Sequence, residues 1–306
     1  MSDNPAANSN PSRVPACVPA VLGLFVLAAC SAADGGVPAD ARTGQQMEWV
    51  QLFNGTDLSD WDIKFRGRDL NDNLNNTFRV EDGLLRVDYD EWSAFGGEFG
   101  HIFHRQPYSY YIVAAEYRFV GDQVTGAGRQ FAWARRNNGI MVHSQSAESM
   151  GRDQDFPISI EVQLLGGLGE GERSTANLCT PGTNVEMSGE LVTEHCINSS
   201  SQTYDGDQWV RVEAMVLGDS LVRHIVNEDT VLTYAKPQMG GGAVSDLVAG
   251  VFEEGRLLSE GYIALQAETA PIEFRKVELL NLVGCMDPQS QRYRSYFVRG
   301  DDAACE

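Results

Sequence analysis

The run Ile158-Ser159-Ile160-Glu161-Val162-Gln163-Leu164-Leu165 places an acid and an amide two residues apart in an otherwise apolar stretch. In an extended chain successive side chains face opposite ways. Ile158, Ile160, Val162 and Leu164 then point to a core, and Glu161 and Gln163 share the other face. A carboxylate there is a candidate general base, and the amide beside it a candidate partner for sugar hydroxyls. Tyr262-Ile263-Ala264-Leu265-Gln266-Ala267-Glu268 repeats the arrangement, with Tyr262, Gln266 and Glu268 on the polar face, so two strands can line one groove. A third constellation runs from Arg135 to His143 and gathers two guanidiniums, two amides and an imidazole around a turn leading into a strand. Arg135 and Asn137 are candidate donors to carbonyl and hydroxyl oxygens. His143 rivals Glu161 as the base, because an unperturbed imidazole titrates near neutral pH. The plainer alternatives are a solvated strand face for Glu161 and a satisfied strand histidine for His143. His101 and His104, three apart in a strand, fall on opposite faces and do not make a pair. Asp153 and Asp155 offer only a thin calcium signal.

The sequence contains no Gly-x-Ser-x-Gly elbow, no phosphate-cradling glycine loop before a helix and no HExxH, so a serine hydrolase, a nucleotide enzyme and a zincin are unsupported. With 23 Lys+Arg against 43 Asp+Glu in 306 residues, the net charge of −20 excludes electrostatic capture of nucleic acid. Thirty-one glycines beside 13 Phe, 10 Tyr and 5 Trp favour strands joined by tight turns, an all-β chain.

The elements that must hold these residues are short and alternating. Strand periods occur at 78–80, 84–89, 111–120, 158–165, 209–217, 221–226, 231–234, 262–268 and 272–282, and turn signals at Glu81-Asp82-Gly83, Gly218-Asp219-Ser220 and Asn227-Glu228-Asp229 imply hairpins. Only Val244 to Leu258 has the length of a helix, weakened by Gly250 and Gly255. About a dozen strands fit a two-sheet sandwich forming one domain over 47–306. Its interruption, 166–208, is too long for a plain hairpin and reads as a crosslinked lid over one sheet or as cover for an edge strand.

The amino terminus reads as an address. Residues 18–30 form an apolar run of signal-peptide length that ends Leu27-Ala28-Ala29-Cys30, as a bacterial lipobox does. The expectation is a signal peptide over 1–29, lipidation of Cys30, a flexible tether over 30–46, and a lipid-anchored protein in the periplasm or outer membrane. Cys17 leaves with the signal, so Cys179, Cys196, Cys285 and Cys305 remain in an oxidising compartment. Three pairings are open; the local ones, Cys179 with Cys196 and Cys285 with Cys305, close the shortest loops. The rival is a zinc on Cys179, His195 and Cys196, for which the spacing is poor.

Several motifs taken in order resemble one family. Trp49-Val50-Gln51-Leu52-Phe53-Asn54-Gly55-Thr56-Asp57-Leu58-Ser59-Asp60-Trp61 resembles the opening signature of the 3-keto-disaccharide hydrolases, also described as 3-keto-glucoside 1,2-lyases and 3-keto-2-hydroxyglucal hydratases. Asn137-Asn138-Gly139-Ile140 resembles the family's Asn-Ser-Gly-Ile, Ile160 to Leu164 its Glu-Val-Gln strand, and Gly261 to Gln266 with Glu273 to Val277 its closing strands. The resemblance implies a concanavalin A-like jelly roll of two curved antiparallel sheets, with the site on the concave one. It also implies cleavage of 3-keto-glycosides by removal of the C2 proton, elimination and hydration. Two departures stand out: the histidine common two residues after the family's Leu-Gln is Glu268 here, and the insertion over 166–208 is longer than in the family's simpler members. Related jelly-roll glucanases carry Glu-x-Asp-x-x-Glu on one strand, whereas this strand offers Glu161, Gln163 and Gly166, one acid where ordinary hydrolysis needs two. A ketone at C3 acidifies the C2 hydrogen, so one base with donors for the enolate oxygen suffices. The expected catalytic residues are Glu161 and His143, with Gln163, Arg135, Asn137, Gln266 and Glu268 binding an oxidised saccharide. No cofactor is required, a divalent metal stays open, and the membrane is met only through the lipid. The alternatives are a lectin-like binding module and a conventional glycoside hydrolase using Glu161 and Glu268.

Overall fold

The structure, a computed structural model, describes residues 45–306. The signal segment, Cys17, Cys30 and the tether up to residue 44 lie outside the described residues. The alternating segments are strands, at Phe78–Glu81, Leu84–Val87, Tyr110–Phe119, Ile160–Leu165, Val210–Leu217, Leu221–Val226, Asp229–Met239, Tyr262–Ala267 and Ile272–Asn281. All three turn signals close hairpins, pairing Glu81 with Leu84, Leu217 with Leu221 and Val226 with Asp229. At the first, Asp82 and Gly83 both take positive φ, 53° and 75°, which is the backbone twist a two-residue hairpin needs.

These strands build two antiparallel sheets. In the seven-stranded sheet the order is Cys196–Ile197, Asn177–Cys179, Ile160–Leu165, Asn137–Ser144, Tyr262–Ala267, Gly100–His104, Trp61–Phe65. The ten-stranded sheet is centred on Val210–Leu217, Tyr110–Phe119 and Ile272–Asn281. Ile102, Ile140, Val162, Leu178 and Leu265 from the first pack against Val113, Ala115, Val212, Ala214, Val277 and Leu279 from the second. Each such large side chain removed from water stabilises the sandwich by roughly 1.5–3 kcal/mol, as an upper estimate. The architecture is the concanavalin A-like jelly roll.

Two elements differ from the sequence reading. Val244 to Leu258 forms no helix. Positive φ at Asp246, Gly250 and Gly255 breaks the helical path, and the segment is tied to the strand end at Met239, whose N–H donates to the Arg256 carbonyl and whose carbonyl accepts from Gly255. The segment over 166–208 does not lie over one sheet as a simple loop. Asn177–Cys179 and Cys196–Ile197 extend the seven-stranded sheet, while Thr183–Met187 and Glu190–Val192 extend the other. Cys179 and Cys196, directly opposite each other across two strands, are disulfide-bonded.

Past the last long strand, Leu282, Tyr296 and Phe297 fold back over Met47, Trp49, Tyr110, Ile112 and Leu280. Arg294 pairs with Glu48 at 2.7 Å, and the Cys285–Cys305 disulfide closes the tail. This clasp covers the outer face of the ten-stranded sheet, since the neighbours Val113 and Leu279 on the alternate positions face the sandwich core.

Candidate active site

On the outer face of the seven-stranded sheet, register brings together residues far apart in sequence. Glu161 lies opposite Met141 and Cys179; Gln163 lies opposite Gly139 and Asn177; Gln266 lies opposite His101. The inner positions between them are the core residues Val162, Ile140 and Leu265, so period-two alternation alone turns Glu161, Gln163, Gln266 and Asn137 outward. Gly139 has a specific use. A Cβ built there would come within 2.6 Å of the Glu161 Oε1 atom and 2.8 Å of its Cγ, so the Glu161 side chain lies across the space that any other residue would fill.

Above this face opens a cavity of about 670 Å³. Asn137, Glu161, Gln163 and Glu268 form its floor, while loops supply the walls: Phe99, Phe131, Trp133 and Phe156 on one side, with Pro181, Ala243, Val244, His195 and the Cys179–Cys196 disulfide also lining it. The aromatic rings brace one another, Phe99 on Phe156 at 4.8 Å and on Phe131 at 5.9 Å, and Trp133 on Phe99 at 6.1 Å. Asp155 also lines the cavity, but its Oδ1 accepts from the Phe156 and Ser245 backbone N–H groups and fixes the loops.

The two floor carboxyls are the chemically unusual feature. Glu161 and Glu268 are only 6% and 3% exposed, and neither carboxyl has a hydrogen-bond partner among the described residues. Burial pushes Glu161 up to about 8 from an ordinary 4.5. Glu268 is raised well above its ordinary value, first by burial and then by the charge of Glu161, with the Arg173 guanidinium opposing. Two acids that burial and mutual repulsion keep from ionising together hold at least one proton at neutral pH. Arg173 is itself held by carbonyls, donating from Nη1 to Gly166 at 2.6 Å and Arg136 at 3.1 Å. Gln163 is oriented from behind: the Asn177 amide donates to its Oε1 at 3.1 Å, which leaves the Gln163 Nε2 free to donate into the cavity.

The family description "3-keto-alpha-glucoside-1,2-lyase-like domain" matches residues 48–280, a span that contains every floor residue. The chain belongs to this family. No curated protein matches the chain. Among solved structures, two from Parabacteroides distasonis ATCC 8503, each named a "putative glycosyl hydrolase", are similar to it at 16% identity. One covers 77% of this chain and 100% of its own at TM-score 0.45, the other 76% and 94% at 0.47. A carbohydrate-binding module, CBM66 of Bacillus subtilis, is similar at 12% identity over 61% of this chain and 84% of its own, with TM-score 0.35.

In this lyase-like domain the residues expected from sequence divide into those that meet and those that do not. Glu161, Gln163, Asn137 and Glu268 share the cavity. Gln266 lies on the same face but is wholly buried, with both side-chain polar atoms unpartnered. Its backbone carbonyl accepts from the Asn138 amide. His143 requires correction as a rival base. Alternation predicts it outward, but a register shift at Tyr262/Ala264 and a positive φ of 50° turn it the other way. Its Nε2 meets the Gly218 carbonyl at 3.0 Å, its ring stands edge-on to Tyr111, and burial lowers it to about 4. It does not line the cavity with Glu161. Arg135 is likewise displaced: it ends the Arg129–Ala134 turn before the strand begins, and lines a separate hollow with Gly121, Asp122 and Arg136. His101 and His104 do take opposite faces, His101 against Phe156 and His104 against Trp61. The zinc reading is overturned at its ligands, because both thiols are consumed in the disulfide. Among the described residues no group of three His, Cys, Asp or Glu side chains is arranged to hold a metal ion.

Sequence reasoning missed the aromatic wall and Arg173. Phe99, Phe131, Trp133 and Phe156 sit in loops and a 3-10 turn, where no periodicity marks which way a ring points.

Proposed function

We propose that the domain cleaves 3-keto-glycosides by elimination across C1 and C2, followed by hydration. The observation that carries this reading is the pair of buried, unpartnered carboxyls on one cavity floor beside a free amide donor. The ketone at C3 acidifies the hydrogen on C2. Glu161, in its ionised form, takes that proton; Gln163 Nε2 and the Asn137 amide donate to the enolate oxygen as charge develops there. Glu268, kept neutral by burial, gives its proton to the oxygen leaving C1. The products are an enone and the released alcohol, with Glu161 protonated and Glu268 ionised. Water then adds at C1, losing its proton to Glu268, while Glu161 returns a proton to C2, and the pair is reset. The net reaction is hydrolysis with no external acid or base.

The same two carboxyls support a second reading, a conventional glycoside hydrolase, which also uses an acid and a base or nucleophile across the bond. Matched glycosides, oxidised or unoxidised at C3, separate the readings. Release of the C1 group from only the oxidised compound is expected. Cleavage of the unoxidised one transfers the pair to ordinary hydrolysis, and binding of either without turnover makes the domain a lectin-like module. The anchor is part of the same proposal: the Leu27-Ala28-Ala29-Cys30 ending supports lipidation at Cys30 and a periplasmic or outer-membrane location. Cys30→Ser should then release the protein from the membrane fraction, and a soluble, unmodified wild type refutes the anchor.

A further inference from the structure

The cavity is polar at its base, and Asp155, His195 and Ser245 add polar groups to its wall. Above the floor, the apolar collar is Phe99, Phe131, Trp133, Phe156, Pro181 and Val244. Trp133 is 51% exposed, a large apolar surface left in water beside a site that already has a polar floor. A pyranose bound to an aromatic platform also needs hydrogen-bonding groups for its ring hydroxyls. The rings of this collar withhold them. The Trp133 Nε1 donates internally to the Gln130 carbonyl at 3.1 Å, and beside the rings the Asp155 Oδ1 is occupied by the Phe156 and Ser245 N–H groups. The three phenylalanines have no polar atom to offer.

We propose that the collar is the leaving-group subsite and that it selects glycosides whose C1 substituent is an aromatic or similarly flat apolar group, in preference to a second sugar. This inference rests on the floor acting on a glycoside, as set out above. The oxidised sugar, rich in polar atoms, lies on Asn137, Glu161, Gln163 and Glu268, and the aglycone stacks between Trp133 and Phe156. With two such aromatic contacts, from Trp133 and Phe156, discrimination of about tenfold over a group that only fits sterically is the expected scale.

The test uses three 3-keto-glucosides with leaving alcohols of similar basicity, so that bond strength does not mimic recognition: methyl, benzyl and glucosyl. The full domain should show kcat/KM for the benzyl compound about tenfold or more above both others, expressed chiefly in KM. Trp133→Leu should collapse the benzyl-to-methyl ratio, and Trp133→Phe, which keeps a ring, should restore much of it. A glucosyl compound preferred over benzyl, or a ratio unchanged in Trp133→Leu, overturns the proposal while leaving the reaction intact. Binding of unoxidised benzyl glucoside, followed by tryptophan fluorescence, reads the collar without chemistry. If no 3-keto compound turns over but benzyl glucoside binds at least tenfold tighter than methyl glucoside in a Trp133-dependent way, the reaction reading fails and the subsite stands. Equal binding of the two glucosides refutes the subsite directly.

Discussion

Glu161→Gln should make the protein more stable at neutral pH while disabling it. In the folded state Glu161 keeps its proton up to pH about 8; in the unfolded chain it loses it near 4.5. Between those values the folded state binds the extra proton, so the stability associated with a neutral Glu161 is fully present below about pH 4.5. It is lost progressively as pH rises to about 8. At pH 7 the gap is 2.5 pH steps above the unfolded value, which at about 1.4 kcal/mol per step is a penalty on the order of 3 kcal/mol. Gln has nearly the same shape and does not titrate, so the variant escapes the penalty. For a domain of this size that corresponds to a Tm higher by roughly 6 to 12 °C. Urea titrations of both proteins at pH 4.5, 7 and 8.5 should give curves that nearly coincide at the lowest pH and separate as pH rises. A variant less stable than wild type at pH 7, or a gap independent of pH, would show that Glu161 is held ionised by a partner, and the assignment of a high-pKa base would fall with it.

The other expectations concern the site and the crosslinks. On a 3-keto-glycoside, Glu161→Gln should lower turnover by at least about 100-fold, measured at substrate saturation, because the proton acceptor is gone. In wild type, kcat/KM should rise as pH increases through about 8, as Glu161 ionises, and fall at higher pH as Glu268 loses the proton it must donate; a profile falling across pH 8 contradicts these roles. His143→Asn, far from the floor and bonded to Gly218, should keep turnover within about threefold. Cys285→Ser with Cys305→Ser should cost on the order of 3 kcal/mol in denaturant melts yet leave KM unchanged. Cys179→Ser with Cys196→Ser should raise KM as well, since that disulfide lines the cavity.

What the sequence made legible follows from periodicity. Glu161, Gln163, Gln266 and Glu268 interrupt strands whose other face is fully apolar, so their shared direction followed from alternation, while the turn residues fixed hairpins of the opposite sheet. His143 obeyed the same pattern on paper, but a bulge slips the register by one and sends the ring inward; nothing in the local sequence announces a bulge imposed by the neighbouring strand. Arg135 failed for a related reason, lying before the strand where alternation has no force. The coupling of Glu161 with Glu268 was out of reach for another cause: it depends on two strands separated by a third, and on Gly139 between them. The aromatic collar is the extreme case, because four rings from three separated stretches of chain meet only once the sandwich has formed.

The clasp formed by Leu282 to Cys305 gives the molecule a front and a back. It staples Glu48 and Trp49 to the outer face of the ten-stranded sheet, whereas the cavity opens from the outer face of the opposite sheet. The family match ends at residue 280, so this staple is made by chain lying beyond the shared domain. A leash attached just ahead of Met47 would leave from the rear of the sandwich. Tension along it would load the Glu48–Arg294 pair and the pairing of Trp49 with Leu280 before reaching any strand that carries Glu161, Gln163 or Glu268. The end of the domain nearest Met47 and the mouth of the cavity thus lie on opposite sides of the sandwich.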